Sequence, residues 1–566
     1  MIAGAACGGN DNDKSPPPPP APGILLSQHF AYRAAQEVLR RFPGEPLYVV
    51  ESGVTPSGKI HLGNFIDMVL ADSVLRALRE SGVEVVGYLA VDSMDPFRQA
   101  PSFAPESFKR EAPMYVGQPF ESIPDPWGCH GSYAEHFVKP VEESFPAYGV
   151  QLEVVWASRL HKSGRYVKPL LEVLAQRERV VEVLNRVKRA AGHRRLYPEG
   201  WIPYRPRCAG CGRIDEVVHP LSVEGSRVRY RCSACGYEGV ADAAKGEGKP
   251  PWRVDWPLRW LALNVHFEPL GKDHMASGSG YDTGCALARE LFGREPPVPI
   301  FYDFVYWVEH EGGERRLEKF SKRKGAGLGI DEWLRYAPPE VLRFQILKRE
   351  VTDIYSEALS HWEFDLRQVP NYVEEFDKFE ETVFTGGSEY SKQLYSLSLP
   401  GPPPQKRPVR IPYFQAVRVA AWMEDLEDGM RMLERQGKLR GLESWEVEDA
   451  RRRLMNARNW LEAVGYGAVL RSPEEAAKLL EGIDGRVLRA FMEAVSLILG
   501  GSDPNEAVKK ACEGQGIAGR EGRLQVYRAF YLALLGEESG PPLRRLIARR
   551  EVIETLSKIR ERLEGC

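Results

Sequence analysis

Apolar residues follow two rhythms along this chain. Around residues 24–105 and 251–337, short continuous apolar runs alternate with stretches whose apolar positions recur at helical spacing. Ile24 to Phe42 reads as a leading helix, Leu47–Val50 as a buried strand, Phe65 to Leu78 as a helix and Val83–Ala90 as a second strand. A strand–helix–strand unit of this kind implies a parallel, doubly wound sheet. Val298–Tyr302 reads as a further core strand. The fold class is therefore α/β, a Rossmann-like nucleotide-binding domain in two halves.

Residues 106–250 interrupt that rhythm with Pro, aromatic, Cys and His residues and read as an insertion between the halves. From about Pro338 onward only helical spacing persists: over 338–350, 367–384, 413–437, 445–465, 473–499, 504–513 and 521–536, and from Leu543 to Leu563. No strand-like alternation competes there, and Pro400–Pro404 marks a linker. These shifts divide the chain into a tail (1–23), a first half of the nucleotide domain (24–105), the insertion (106–250), a second half (251–337), a helical segment (338–400) and an all-α region (401–566).

Composition changes this picture little: 43% hydrophobic and 27% charged residues in 566 describe an ordinary globular protein. No run of 18 apolar residues occurs, so no transmembrane helix is predicted. The tail, with Pro16 to Pro20, lacks a basic segment followed by an apolar core and reads as disordered rather than as a signal peptide. The net charge of −3 conceals basic clusters such as Lys322-Arg323-Lys324 and Arg544-Arg545, so a nucleic-acid partner is not excluded. Nine cysteines, four of them in two Cys-x-x-Cys pairs, fit metal binding in a reducing, cytoplasmic compartment better than a disulfide framework.

The chemistry concentrates at Pro56-Ser57-Gly58-Lys59-Ile60-His61-Leu62-Gly63-Asn64, between the first strand and its helix. Such a turn exposes backbone N–H groups at a helix N-terminus, which suits phosphate. His61 and Asn64 can donate to charge developing on a transferring phosphoryl group. Lys319-Phe-Ser321-Lys322-Arg-Lys324-Gly325 is a cationic, Gly-flanked loop that can close over a triphosphate. Between them, Trp252-Arg-Val-Asp255-Trp256 and Gly271-Lys-Asp273-His274 bracket polar residues with aromatics, as in a pocket for a small amphiphilic ligand. Asp255 and Asp273 are candidates to meet a cationic group; the alternative is surface or turn duty.

Cys208-Ala-Gly-Cys211 and Cys232-Ser-Ala-Cys235, twenty residues apart, have zinc-ribbon spacing and predict a closed, structural four-thiolate site within residues 205–240. Asp125, Cys129, His130 and His136 offer a second mixed O/S/N ligand set. There the adjacent Cys129 and His130 need a turn to converge, and the alternative is a buried thiol with satisfied histidines.

Taken together, these motifs resemble the class I aminoacyl-tRNA synthetases, and within them the class I lysyl-tRNA synthetases of archaeal type. His61-Leu-Gly-Asn64 matches the HIGH signature with Asn in last place, and Lys319-Phe-Ser-Lys-Arg323 departs from KMSKS at its second and fifth positions. Ser52-Gly-Val-Thr-Pro-Ser-Gly58, Asp125 to His130, residues 252–257 and 271–274 match the lysyl subfamily, and the resemblance covers about residues 24–566. It implies activation of L-lysine by ATP, with magnesium, and transfer of the lysyl group to tRNA(Lys). It assigns catalysis to His61, Asn64, Lys319, Ser321, Lys322 and Lys324, and ATP binding to Pro56, Gly58, His61, Gly63, Asn64, Gly271 and Asp273. It places Gly53, Thr55, Trp252, His274 and Tyr302 around lysine, and Asp255 is added as the ionic partner of the ammonium. It implies zinc at the four cysteines and at the Asp125 block, and an anticodon-binding role for residues 401–566, where Tyr527 and Arg528 compete with a helix-core reading. A monomer is favoured, and no separate editing domain is visible. Two rivals remain: a glutamyl- or glutaminyl-tRNA synthetase, and a non-catalytic tRNA-binding protein on a degenerate scaffold.

Overall fold

The computed structural model describes residues 28–311, 314–320, 327–464, 470–538, 540 and 542–564. The expected tail (1–23) and the loop residues Ser321, Lys322 and Lys324 lie outside the described residues. The chain forms two compact units, the first comprising residues 1–334, 339–365 and 378–405, the second residues 335–338, 366–377 and 406–566.

The first unit is built on a six-stranded sheet. Helix α1 (Phe30–Arg41) leads into β1 (Tyr48–Val54), α2 (Leu62–Glu80) and β2 (Val85–Val91). The chain continues through α3 (Tyr133–Tyr148) into β3 (Leu152–Trp156). After an excursion, α6 (Trp252–Leu263), β7 (Phe267–Gly271), α7 (Gly280–Phe292), β8 (Val298–Tyr302) and, later, β11 (Ala358–Leu359) complete the sheet. The order is β11-β8-β7-β1-β2-β3, all parallel, with Tyr48 to Val54 in register with Val85 to Val91. That is the doubly wound arrangement whose strand order reverses between β1 and β7, the place where such sheets bind ligands. Parallel strands are covered on both faces, which explains β1: six of its seven residues are buried, so its sequence reads as a continuous apolar run.

The excursion begins later than the composition suggests. β3 pairs with β2 along Gly87–Val91, so residues 106–156 are partly nucleotide fold and the insertion starts after Trp156. It holds α4 (Gly164–Ala175), α5 (Arg177–Ala190) and a three-stranded antiparallel ribbon, β4 (Val218–Glu224), β5 (Arg227–Cys232) and β6 (Glu238–Asp242). The apolar faces of α4 and α5 pack with Val254 and Leu258 of α6 in one core.

Residues 338–400 are not purely helical. After β9 (Val305–Glu311) and β10 (Glu314–Lys319), α8 (Pro339–Leu347) is followed by β11 and by β12 (Trp362–Phe364), which pairs in parallel with β9. The strands are two and three residues long, too short for alternation to show. Arg343 of α8, fully buried, pairs with Asp72 of α2 at 2.8 Å and donates to the Leu397 carbonyl, tying this segment onto the nucleotide fold. Residues 389–398 form a helix, α9, that the spacing did not suggest.

The described part of the second unit is helical. Two expected helices are each broken in two, into Tyr413–Ala420 and Leu426–Arg435, and into Pro473–Leu480 and Gly485–Leu499. At each break an Asp caps the next helix: Asp425 accepts from the Asp428 N–H, and Asp484 from those of Arg486 and Val487. The core of the long helix Ser444–Val464 is pinned by Arg453, fully buried, which pairs with both carboxylate oxygens of Asp377 at 2.7 Å and with Asp449 at 3.0 Å. No described helix is long and apolar enough to cross a membrane.

Candidate active site and metal centres

A cavity of about 200 Å³ opens at the carboxyl ends of β1 and β7, lined by Gly53, Thr55, Asn64, Asp67, Asp92 and the β7 residues Glu268 to Gly271. Its aromatic side is made by Trp252, Trp256, His274 and Tyr302. Trp252 and Trp256 stack at 4.6 Å, and Trp252 stacks on His274 at 5.4 Å. The wall forms because Trp252 and Trp256 lie four residues apart on α6, and positions so spaced share a helix face. Gly280 is needed behind it: a Cβ there would lie 2.4 Å from the Trp252 ring. Burial lowers the His274 pKa, which favours the neutral ring.

The polar side is a buried charge cluster. Arg259 of α6 pairs with Glu51, with Asp92 at 3.0 Å and with Glu268 at 3.4 Å. Burial alone would lower the Arg259 pKa, but the three carboxylates raise it. Burial pushes Glu51 up to about 7 against the pull of Arg259. Glu268 is held well above the usual carboxylate range by burial and by the charge of Glu51, although the Trp260 and Trp256 indoles donate to it at 2.6 and 2.9 Å. Asp67 is pushed up to about 6 by burial while Ser52 and Tyr302 donate to it.

Beside the cavity lies the turn before α2. His61 occupies the N-cap position, the Asn64 side chain accepts from the His61 N–H at 3.4 Å, and Tyr133 donates to the Ser57 carbonyl at 3.1 Å. Gly63 lets the chain pass the His61 ring, since a Cβ there would lie 3.1 Å from it. The His61 ring packs on Phe320 at 4.9 Å, and the ammonium of Lys319 sits 3.4 Å from the centre of the Phe304 ring. The turn and the start of the basic loop are thus neighbours, as an anion site gathered from both would require.

Among the described residues, two clusters can hold a metal ion. The ligand atoms of Cys208, Cys211, Cys232 and Cys235 all lie within 4.8 Å of one another. The sulfurs of Cys208 and Cys235 are 3.6 Å apart, and those of Cys211 and Cys232 3.7 Å. A tetrahedron with zinc–sulfur bonds of about 2.3 Å has edges of about 3.8 Å, so the spacing fits zinc. In the second cluster Cys129 Sγ lies 3.2 Å from His136 Nδ1 and 3.1 Å from His130 Nδ1, and Asp125 Oδ1 lies 3.3 Å from His136. The turn that adjacent Cys129 and His130 need is supplied by Gly128 at φ +74°, and by Asp125, which accepts from the N–H groups of Cys129 and His130.

Comparison with known proteins agrees with this geometry. The family described as tRNA synthetases class I (K) matches residues 28–400. A lysine–tRNA ligase of Methanocaldococcus jannaschii is 32% identical over 540 residues, covering 92% of this chain and 97% of that protein. One of Pyrococcus horikoshii is 32% identical over 564 residues (95% and 100%), and one of Aeropyrum pernix 34% over 546 residues (91% and 94%). The chain belongs to the class I lysine–tRNA ligase family.

Within this family member, the cavity gathers most of the residues expected around lysine: Gly53, Thr55, Trp252, His274 and Tyr302 all line it. Asp255 does not. It is buried against Lys249 at 3.0 Å and His161 at 3.0 Å, and Tyr166 donates to it, so its carboxylate is spent inside the protein. Of the residues expected around ATP, Asn64 and Gly271 line the cavity, while Pro56, Gly58, His61 and Gly63 shape the adjoining turn. Asp273 is exposed on a short turn outside the lining. The reading missed Asp67, Asp92, Arg259 and Glu268. For Glu268, and for Glu51 behind Arg259, the available signal was an acidic residue inside an otherwise apolar strand, as in Phe267–Gly271 and Leu47–Val54.

Proposed function

We propose that the chain activates L-lysine with ATP, forming lysyl-adenylate and diphosphate, and then transfers the lysyl group to the 3′ adenosine of a lysine-specific tRNA. The observation that carries this reading is the cavity at the strand-order reversal, with an aromatic wall, a buried carboxylate cluster and the N-terminal turn of α2 beside it. An aliphatic stem suits the wall, a cationic tip suits the carboxylates, and a carboxylate at the mouth stands beside the phosphate-binding turn. A glutamate substrate would bring its charge to a cluster that already holds carboxylates in excess.

In this reading Gly53, Thr55, Trp252, His274 and Tyr302 hold lysine, and Gly271 holds the nucleoside. His61 and Asn64, at the positive end of α2, donate to phosphate oxygens as charge develops on them. Lys319, with Ser321, Lys322 and Lys324, belongs to the loop that closes on the triphosphate. Most of the catalysis is positioning and electrostatics, as in other displacements at phosphorus. Magnesium enters as the counter-ion of the substrate ATP. The four cysteines hold zinc as a closed structural centre, and Asp125, Cys129, His130 and His136 hold a second ion. Residues 401–566 read the anticodon by stacking single-stranded bases.

The test is ATP–diphosphate exchange with lysine, glutamate, glutamine, arginine and ornithine, first without tRNA. Exchange with lysine and not with glutamate or glutamine is expected. Exchange only with glutamate or glutamine, and only with tRNA present, overturns the substrate. No exchange with any amino acid, with or without tRNA, overturns the activity.

A further inference from the structure

With Asp255 committed to Lys249, a lysine pocket needs another ionic partner; three buried carboxylates, Asp67, Asp92 and Glu268, line the cavity and a fourth, Glu51, lies next to them. One guanidinium, that of Arg259, faces them. Their remaining hydrogen-bonding capacity differs. Glu51 is sealed behind Arg259, fully buried and outside the cavity lining. Asp67 already receives Ser52 Oγ at 2.6 Å, the Gly53 N–H at 3.3 Å and the Tyr302 hydroxyl. Asp92 has both oxygens engaged, Oδ1 by Arg259 at 3.0 Å and Oδ2 by the Thr55 hydroxyl at 3.4 Å.

Glu268 is placed differently. Oε2 is fixed by two indoles, Trp260 at 2.6 Å and Trp256 at 2.9 Å, which sets the direction of Oε1. Oε1 shares the Trp256 indole at 3.1 Å and has only a long 3.4 Å contact to Arg259. It faces Gly53, where a side chain would intrude: a Cβ there would lie 4.0 Å from Oε1 and crowd Arg259 at 3.2 Å. Trp256, which holds Glu268, is also part of the aromatic wall that suits an aliphatic stem.

We propose that Glu268 is a specificity-determining residue whose Oε1 receives the side-chain ammonium of the bound amino acid, with Arg259 and the two indoles as its positioning groups. This rests on the reading of the cavity as a lysine site. It has a linkage consequence. Groups facing Glu268 are Glu51 from β1, Asp67 from α2, Asp92 after β2, Arg259 from α6 and Tyr302 from β8. In the empty site burial and Glu51 raise the Glu268 pKa, and an arriving ammonium lowers it, so binding releases protons.

The test is ATP–diphosphate exchange by Glu268→Gln, which keeps the shape and removes the charge, with lysine and with 6-hydroxynorleucine, a same-length analogue carrying hydroxyl for ammonium. The KM for lysine should rise on the order of a hundredfold, with kcat at saturation and the KM for ATP within about threefold. The KM for 6-hydroxynorleucine should stay within about threefold. Glu268→Asp keeps the charge and withdraws it by one methylene, so homolysine should gain on lysine by about tenfold. In the wild type, calorimetry in buffers of different ionisation enthalpy should show proton release with lysine and not with 6-hydroxynorleucine. The proposal is overturned if Glu268→Gln leaves the lysine KM within twofold, or raises both KM values equally. Loss of lysine exchange in the wild type would instead sink the parent reading.

Discussion

Replacing Lys249 by Met tests whether the charges next to the cavity act as one network. Lys249 is 4% exposed and lies between Asp95 at 2.6 Å and Asp255 at 3.0 Å. Unit charges 3.0 Å apart attract by about 5.5 kcal/mol at an effective dielectric of about 20. Much of that offsets desolvation, but removing one partner strands the other, at about 3–5 kcal/mol. Asp95 is one-quarter exposed and can recover water; Asp255 cannot, so the loss centres on Asp255. Burial would raise the Asp255 pKa, yet Lys249, His161 and Tyr166 hold it far below the usual carboxylate range. A carboxyl depressed in the folded state contributes stability above its unfolded pKa, of about 3.9, and loses it as pH falls through the folded value. Without Lys249 burial dominates, the Asp255 pKa rises, and protonation relieves the variant as pH falls. The expected deficit is therefore about 3–5 kcal/mol at pH 7.5 and smaller at pH 5.5. Denaturant unfolding followed by tryptophan fluorescence reads it, because Trp252, Trp256 and Trp260 share α6 with Asp255. Adding Asp255→Asn should recover about 1–3 kcal/mol of the sum of the single losses. A deficit under about 1 kcal/mol, or one that grows at pH 5.5, refutes the reasoning.

Other perturbations act more locally. His61→Ala should lower kcat for exchange by about 10²–10³ with lysine affinity within threefold, since its effect is on the developing phosphate charge; an equal change in lysine binding measured by calorimetry would place His61 in the amino-acid site instead. Gly280→Ala forces the Trp252 ring aside from a 2.4 Å clash, and the lysine KM should rise by about tenfold or more while the circular dichroism spectrum stays unchanged. Cys232→Ser should remove about one zinc per chain by atomic absorption and unfold the ribbon, seen as protease cleavage within residues 205–240; full metal content in the variant would contradict the four-thiolate centre.

The strand–turn–helix at residues 48–80 was legible because a parallel strand and an amphipathic helix leave opposite signatures, and the Cys pairs because ligand spacing is a local property. The start of the insertion was misplaced because β3 is five residues long and follows a Pro-rich, aromatic stretch that masks the return to the sheet. Asp255 was misread because its partner, Lys249, is a short loop away and nothing in the sequence shows that both side chains turn inward. Glu51 and Glu268 passed unnoticed because a charge inside an apolar run looks like an exposed strand position until the sheet is seen to be covered on both faces.

The interleaving of the nucleotide fold with its insertion also sets a schedule during synthesis. β3, β2 and β1 emerge first, and β1 has one edge paired with β2. Its other edge waits for β7, which pairs Phe267 with Val50 only after residues 157–266 have been made. At about 5–20 residues per second that interval is on the order of ten seconds. For its duration the nascent chain carries an apolar strand edge with nothing beside it, the kind of edge that recruits other chains. Ribosome-bound chains halted near residue 160 should therefore be held by chaperones, and those halted past residue 300 should be released.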